Sequence, residues 1–388
     1  MMEAWKKIRL GDACKTNTDS YSPKEEWDFV NYLDTGNITD NRIDSIQYID
    51  VKSEKLPSRA RRKVKNDSII YSTVRPNQRH FGIIKSQPEN FLVSTGFAVI
   101  DADAQILDAD FLYYVLTQAT LVEALHAIAE QSTSAYPSIK PSDIEDLEIE
   151  IPDIATQKKI ADILGSLDRK IAQNTEVNDN LQEQAMALYS NMITENADET
   201  WNPGVLSDIA AITMGQSPKG DTYNEDGMGT VFFQGRAEFG FRFPTRRLYT
   251  TDPKRMAQTN DALMSVRAPV GDMNVAYEEC CIGRGLAAIH SKDDHQSFVL
   301  YTMFNLREQL NVFNGEGTVF GSINKDALNA MSISIPPKEV IDAFEAIVSP
   351  MDEAIRNNYE EICRLTEIRD SLLPRLMSGE LDVSDLDL

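Results

Sequence analysis

The sequence predicts an α+β fold: two tandem mixed α/β domains, each followed by a long helix, with the two helices forming an antiparallel coiled coil of pseudo-two-fold symmetry. After Pro152, apolar residues recur at heptad spacing over a long stretch. The pattern returns at a constant offset of 184 residues, so that Ile160 corresponds to Phe344. Each helix also follows a short apolar strand that ends in proline, at Pro152 and at Pro336. Because the pattern repeats together with its flanks, the chain is predicted to be a duplication.

The heptad positions define the residues expected at the helix–helix interface. They are Ile160, Leu164, Leu167, Ile171, Asn174, Asn178, Leu181 and Leu188 on the first helix, and Phe344, Val348, Met351, Ile355, Asn358, Ile362, Leu365 and Leu372 on the second. A helix of about forty residues is roughly 60 Å long, too long to bury its apolar stripe on one neighbouring domain. In a flush antiparallel pair Asn178 faces Asn358, and such polar residues fix the register. Alternatively, these asparagines lie at the solvated edge of the interface.

The ends of the two helices carry recognisable signals. Asp153 is placed to cap the first helix, and Pro337 suits the first turn of the second. The first helix is expected to end in the polar segment 196–204. Pro374 and Gly379 predict that the second helix bends or ends there.

These signals divide the chain into five parts: a first domain at 1–152, a first spacer helix at 153–196, a second domain at 197–337, a second spacer helix at 338–378 and an acidic tail at 379–388. Predicted strands at 68–74 and 94–100 match those at 261–267 and 283–289, and helices begin near Phe111 and Phe298. The segments between these matching elements differ. That difference is typical of two domains with one architecture and separate binding surfaces.

The charge is unevenly distributed. A net charge of −23 argues against a generic nucleic-acid binder, yet segment 52–85 has ten Lys and Arg against two acidic residues, and segment 236–267 has seven against three. Arginine suits phosphate and guanine, and Asn and Gln suit adenine. The candidate DNA contacts are Arg59, Arg61, Arg62, Lys63, Arg75, Asn77, Gln78, Arg79 and His80 in the first domain, and Gln234, Arg236, Arg242, Arg246, Arg247, Arg267 and Arg284 in the second.

No motif predicts catalysis, a metal or a cofactor in this chain. A GxxxxGK[ST] loop, a dinucleotide fingerprint and the Asn-Pro-Pro-aromatic segment of amino-methyltransferases are all missing from the sequence. His290 and His295 fit a polar loop better than a metal site, and Cys280-Cys281 fits an apolar core. The four cysteines form no disulfide or zinc framework, and the sequence contains no apolar run of about 18 residues and no secretory signal. A cytoplasmic protein without a membrane span is expected.

Several motifs carry a family resemblance. They are Trp5…Leu10-Gly-Asp12, the run from Pro152 through Gln157 and Ile160 to Ile171, Phe320-Gly-Ser-Ile323, Ile335-Pro-Pro337, and the segment from Arg369 to Leu381 that contains Leu-Leu-Pro-Arg-Leu-Met-Ser-Gly. With these motifs the chain resembles the specificity (S) subunit of type I restriction-modification systems over essentially its full length. It departs from that pattern at Ile341, where a second glutamine is expected.

The resemblance implies that 1–152 and 197–337 are target-recognition domains, each reading half of a bipartite double-stranded DNA target, and that the helices hold them apart. It further implies that the helices bind two modification (methyltransferase) subunits, which restriction (translocase/endonuclease) subunits join. S-adenosylmethionine, ATP and Mg²⁺ would be used by those partners, and this chain would be no enzyme. Two alternatives remain: a coiled-coil adaptor that binds acidic proteins, and a self-sufficient methyltransferase or nuclease.

Overall fold

The computed structural model describes residues 5–132, 136–198, 201–315 and 321–383. The chain divides into two compact units, one made of Met1–Ala172 with Ile362–Leu388 and the other of Gln173–Glu361. Both boundaries fall inside long helices, whereas the sequence-based division placed boundaries at the helix ends. The difference arises because each unit contains part of both helices. Phe320 and the tail residues 384–388 lie outside the described residues.

Two helices are far longer than the others in the described chain. The first long helix is Ile154–Tyr189, continued by a π-helical segment at Ser190–Glu195, and the second long helix is Lys338–Met377.

The described part of the first unit contains three sheets and a small hairpin. Lys6–Arg9 pairs antiparallel with Glu148–Ile151. A mixed sheet has the order Gln47–Asp50, Phe29–Leu33, Phe91–Ser94, Ala60–Arg62, its two central strands being parallel. An antiparallel sheet has the order Cys14–Thr16, Phe97–Ala102, Ser68–Ser72, Phe81–Ile84, and the hairpin joins Ile38–Thr39 to Arg42–Ile43. The short α-helices are Ala109–Thr117, Ala119–Glu130 and Pro141–Glu145.

The second unit repeats this topology over its described residues. Asn202–Val205 pairs antiparallel with Ser332–Ile335. An antiparallel sheet has the order Ala210–Met214, Leu286–Ser291, Ala262–Ser265, Met273–Val275. A mixed sheet has the order Tyr223–Asn224, Leu248–Thr250, Thr230–Phe233, Cys280–Ile282, Met256–Ala257, with the parallel pair again central. The short α-helices are Leu206–Ile209, Gln296–Asn305, Arg307–Asn311 and Lys325–Asn329. The repeated strand order confirms the predicted duplication.

The hydrophobic cores include the helix segments of the same unit. Leu164 of the first long helix and Leu376 of the second lie in the cluster that contains Phe111 of the first domain. In the other unit, Val348 and Ile355 lie in the cluster that contains Phe298. Each unit therefore buries helix side chains within a domain core, in addition to pairing the two helices.

Within the second unit the two long helices run antiparallel. Asn174 donates to Glu361 Oε2 at 2.7 Å and Asn358 donates to Asn178 Oδ1 at 2.8 Å, so partner numbers fall along one helix as they rise along the other. Asn178 also approaches the Ile355 carbonyl at 3.4 Å. Asn174 and Asn178 are 4% and 3% exposed, which excludes a solvated edge for these two, whereas Asn358 is half-buried.

All the predicted interface residues are buried or half-buried. In the first unit the helices are also antiparallel, because Arg369 Nη1 lies 2.9 Å from Asp168 Oδ1 while Leu164 and Leu376 share one cluster.

The helix ends follow the sequence signals. Asp153 Oδ1 accepts from the N–H groups of Ala155 and Thr156 at 2.9 and 3.1 Å. The Thr156 hydroxyl and these amides lower the pKa of the Asp153 carboxyl. The second long helix continues through Pro374 and ends at Met377. Gly379 has a φ of +71° and a Cβ there would lie 3.2 Å from the Trp5 ring, so both conformation and space favour glycine.

Candidate nucleic-acid interface

A tyrosine–aspartate contact holds each domain against the helices of its own unit. In the first unit the Tyr114 hydroxyl donates to Asp168 Oδ2 at 2.6 Å, and Arg369 binds the other carboxylate oxygen at 2.9 Å. In the second unit the Tyr301 hydroxyl donates to Asp352 Oδ1 at 3.0 Å, and Arg242 forms the ion pair. The same kind of contact therefore anchors the domain to a long helix in both units.

The prediction that Arg242 contacts DNA is wrong. Its side chain is only 3% exposed, pairs with Asp352, donates to Gln182 Oε1 at 3.2 Å and lies 5.6 Å from the centre of the Tyr301 ring. These partners belong to the long helices and the domain core of one unit. Arg242 is therefore a structural residue, in the role that Arg369 has in the first unit.

A different residue replaces the glutamine missing at Ile341. In the first unit, Gln157 accepts from the Asp108 N–H at 2.9 Å, just before helix Ala109–Thr117. In the second unit, Glu345 accepts from the N–H groups of Ser297 and Phe298 at 3.1 and 2.9 Å, at the start of helix Gln296–Asn305. Burial raises the pKa of the Glu345 carboxyl. The domain–helix contact therefore survives the departure at Ile341.

The second domain gathers most of its candidate residues in one cleft of about 350 Å³. Predicted residues in its lining are Gln234, Arg236, Arg247, Arg267 and Arg284. Three strands of two sheets end at this cleft: Gln234 and Arg236 follow Thr230–Phe233, Arg267 follows Ala262–Ser265, and Arg284 lies between Cys280–Ile282 and Leu286–Ser291.

Two glycines permit this convergence. A Cβ at Gly283 or Gly285 would lie 2.8 Å from backbone atoms of Gln234. The loop that bears Arg284 can therefore approach the loop that bears Gln234 only with glycine on both sides.

The cleft is cationic, and its guanidinium groups differ in availability. Arg236 pairs with Asp272, and Arg247 pairs with Glu238 at 2.6 Å. Hydrogen bonding to Glu238 raises the pKa of Arg247. Arg267 and Arg284 are exposed, and neither has an acidic partner among the residues that the structure describes. They can bind an anionic or acceptor-rich ligand without first breaking an ion pair.

Arg246 is not part of this cleft. Its Nε lies 2.5 Å from Glu278 Oε1, and its guanidinium lies 5.5 Å from the centre of the Tyr277 ring. It lines a separate depression with Tyr249 and Met256. The structure therefore separates Arg246 from the other candidates.

In the first domain the candidates form two neighbouring groups. The Thr95 N–H donates to the Arg59 carbonyl at 2.8 Å, and the Thr73 N–H donates to the Gly96 carbonyl at 2.8 Å. These bonds bring the segment at Arg59–Lys63 to the strand end that leads into Arg75. The corresponding place in the second domain carries Arg267, because Val74 bridges Ser138 as Arg267 bridges Ser322.

The loop after Thr73 presents polar side chains to solvent. Arg75 has a φ of +47° and lies 5.4 Å from the centre of the Tyr136 ring. The loop continues through a 3-10 turn at Pro76–Gln78, where Asn77 and Gln78 are exposed. With Arg59 and Arg61, which are also exposed, these side chains form the accessible part of the candidate set.

The remaining first-domain candidates have partners inside the domain or are partly buried. Lys63 pairs with Glu25 at 2.5 Å, Arg79 pairs with Asp40 at 2.6 Å, and His80 Nδ1 lies 2.6 Å from the Ile38 carbonyl. Arg62 is half-buried, and its Nε has no hydrogen-bond partner within the described chain. These four residues are less available to a ligand than Arg59, Arg61 and Arg75.

Several residues near these surfaces were not among the predicted contacts. Arg255 is exposed, and its carbonyl accepts from the Ile282 N–H at 2.9 Å, much as Arg59 accepts from Thr95. Its position in the basic segment 236–267 could have indicated it as a candidate DNA contact. Ser217, which accepts from the Arg284 N–H at 3.2 Å, and Glu238 also line the cleft. Nothing in the charge pattern singled out these two.

The described residues contain no group of three or more His, Cys, Asp or Glu side chains that could hold a metal ion. His290 lies on strand Leu286–Ser291 and binds Asp261 at 2.6 Å, so its predicted loop placement is wrong.

No single helix within the described ranges is long and apolar enough to span a membrane. The bent pair Ala109–Thr117 and Ala119–Glu130 meets that criterion by length and composition only.

Comparison with known proteins gives a consistent result. The type I restriction modification DNA specificity domain matches residues 2–183 and again residues 198–364. A proposed type I restriction enzyme MjaX specificity subunit of Methanocaldococcus jannaschii is 28% identical over 407 residues, covering 98% of this chain and 94% of its own. The type I restriction enzyme HindI specificity subunit of Haemophilus influenzae is 25% identical over 465 residues, covering 98% and 100%. The crystal structure of the S subunit of a type I system from M. genitalium has 16% identity, covers 96% of both chains and has a TM-score of 0.63, which indicates a shared fold.

Proposed function

The chain belongs to the family of type I restriction-modification DNA specificity subunits, and we propose that each of its two domains reads one half of a bipartite DNA target. The observation that carries this proposal is the convergence of Gln234, Arg236, Arg247, Arg267 and Arg284 in one cleft. Sequence-specific readout needs donors and acceptors near base edges, and cations near phosphates. One cleft of the second domain offers both.

The first domain supports the same role with different side chains. Arg59, Arg61 and Arg75 are exposed beside Asn77 and Gln78. Bidentate contact to adenine is the usual use of Asn and Gln, and Arg suits guanine and phosphate. Because the scaffolds match while these side chains do not, the two half-sites are expected to differ in sequence.

The chemistry of the complex is assigned to partners. We place methyl transfer with S-adenosylmethionine in two modification subunits, and ATP- and Mg²⁺-dependent translocation or cleavage in restriction subunits. This chain would contribute recognition alone, and a cytoplasmic location would follow from contact with the chromosome. The support is the family membership together with relatives that are named as specificity subunits.

The test is binding by the chain in complex with its methyltransferase partner. Affinity for a duplex that carries the recognised motif should fall steeply with salt, since each phosphate contact releases counterions, and should exceed affinity for a scrambled duplex by about a thousand-fold or more. Equal affinity for all sequences would refute recognition. The adaptor alternative expects no salt-sensitive DNA binding, and methyl transfer or cleavage by the isolated chain would instead support the third possibility.

A further inference from the structure

One acidic residue lies in the arginine-lined cleft of the second domain. Glu238 ends the 3-10 turn Arg236–Glu238 and is only 7% exposed. Its Oε1 accepts from Arg247 Nη2 at 2.6 Å. Its Oε2 is buried and has no hydrogen-bond partner among the described residues. A buried carboxylate oxygen without a partner is unfavourable, and buried polar atoms in proteins are almost always hydrogen-bonded.

The unpartnered oxygen belongs to a residue of the candidate DNA-binding cleft. Glu238 lines the same cleft as Gln234, Arg267 and Arg284. Arginine side chains only donate hydrogen bonds, and an ionised carboxylate only accepts them. Glu238 therefore supplies acceptor capacity in a cleft that arginine donors dominate.

The bases of DNA present hydrogen-bond donors that a carboxylate can bind. In the major groove, guanine offers acceptors that arginine binds, whereas cytosine N4 and adenine N6 offer exocyclic amino donors. A carboxylate accepts from such an amino group, and thymine and guanine have none at that place. A donor-lined cleft with one unfilled carboxylate oxygen is thus suited to a base edge that carries an amino group.

Access to Oε2 requires a side chain to move. Arg247 lies against the carboxylate, and its own side chain is 56% exposed. Its second acidic neighbour, Glu225, is 3.7 Å away and 70% exposed, so this contact restrains Arg247 weakly. Movement of the exposed Arg247 guanidinium toward a DNA phosphate would loosen the packing around the Glu238 carboxylate and open a path to Oε2.

We propose that Glu238 is a specificity-determining residue. Its carboxylate accepts a hydrogen bond from the exocyclic amino group of cytosine or adenine in the half-site read by the second domain, and this inference rests on the proposed function. The contact selects one base at one position of the target. It leaves the other positions and the overall affinity for DNA phosphates to the surrounding arginines.

The experiment compares methylation motifs, mapped genome-wide for the complex with its methyltransferase partner. Wild type, Glu238→Met, Glu238→Ala and the matched control Glu225→Met are expressed in the same host. Neither Met nor Ala can accept a hydrogen bond from a base amino group, so both Glu238 variants should lose discrimination at one position of one half-site by about ten-fold or more, and the control should keep the motif. The base pair that wild type requires there, G·C or A·T, distinguishes cytosine from adenine.

Glu238→Met keeps the length of the side chain and remains informative if Glu238→Ala does not fold. An unchanged motif in a folded Glu238→Met or Glu238→Ala complex would overturn the inference and leave the proposed function intact. A wild-type complex with no defined motif would refute the proposed function itself.

Discussion

Nδ2 of Asn358 donates a hydrogen bond to Oδ1 of Asn178 at 2.8 Å, joining two residues that are 180 positions apart in the chain. Asn178 is 3% exposed, and its own amide approaches the Ile355 carbonyl at 3.4 Å. A buried amide pair costs stability relative to apolar residues, but it is satisfied in only one register. It therefore sets how the two long helices align within the second unit.

Replacing one member of this pair should be costlier than replacing both. Asn358→Ala leaves Asn178 Oδ1 without its donor and should lower the free energy of unfolding by about 1–3 kcal/mol in urea denaturation. The double change Asn178→Leu with Asn358→Leu should restore most of that loss and weaken the register. Gln173→Ala, at an exposed position of the helix that carries Asn178, should change stability by less than about 0.5 kcal/mol. Equal effects of Asn358→Ala and Gln173→Ala would show that the pair does not matter.

Arg242 should affect folding and leave DNA contact unchanged. Arg242→Met removes the cation from a pair in which the two side chains are 3% and 19% exposed, so it should lower the free energy of unfolding by about 3–5 kcal/mol. Arg246→Met, at a side chain that is 50% exposed, should cost less than about 1 kcal/mol. Adding Asp352→Leu to Arg242→Met should recover much of the stability. The assignment fails if Arg242→Met is as mild as Arg246→Met.

Arg267 and Arg284 should contribute to DNA binding in the cleft of the second domain. Each alanine variant should weaken specific binding by about 1–3 kcal/mol if the side chain reads a base, or reduce the salt slope by about one if it binds a phosphate. Titrations at several salt concentrations separate the two cases. Arg307→Ala, an exposed arginine on helix Arg307–Asn311, is the control. Unaltered affinity and slope in both variants would remove the cleft from the interface.

The cysteines should differ in reactivity. Burial raises the pKa of Cys14 and of Cys280 to about 12, and Cys281 is 0% exposed. Only half-buried Cys363 should react with a thiol reagent at pH 8 before unfolding, since the thiolate is the nucleophile. A fast reaction that survives Cys363→Ser would contradict this assignment.

The same pKa shifts predict an effect of alkaline pH on stability. In the unfolded chain the thiols of Cys14 and Cys280 ionise near 9, whereas in the folded protein they stay protonated to about 12. The free energy of unfolding should therefore be fully retained below pH 9 and fall as pH rises from 9 to 12. Cys280→Ala should make that decline shallower in denaturation curves recorded across this range.

The length of the helices should set the spacing of the half-sites, as the proposed function requires. Inserting one heptad after Ala172 and one after Cys363 keeps the apolar phase in both helices. It adds about 10 Å of helix, close to three base pairs of DNA at about 3.4 Å each. The mapped motif should acquire a longer spacer, or binding should be lost. A heptad in one helix alone should disrupt the pair, and an unchanged spacer in the double insertion would refute the prediction.

The sequence by itself determined the duplication, the two long helices and their register. Heptad spacing from Ile160 and from Phe344, together with the proline-ended strands before each helix, follows from local periodicity that tertiary contacts do not override. The caps at Asp153 and Gly379 were readable for the same reason, because they depend on neighbouring backbone groups. Even the Asn178–Asn358 pair followed from the numbering once the helices were taken as flush and antiparallel.

Only the tertiary structure decided what each arginine does. Arg242 and Arg267 come from one basic segment and look alike in sequence, yet one is 3% exposed beside Asp352 and the other is exposed in the cleft. The partners of a charged side chain lie far away in the chain, so composition cannot distinguish a buried ion pair from a free guanidinium. For the same reason the charge count gave no sign of Glu238, whose buried oxygen becomes visible only when three strand ends meet.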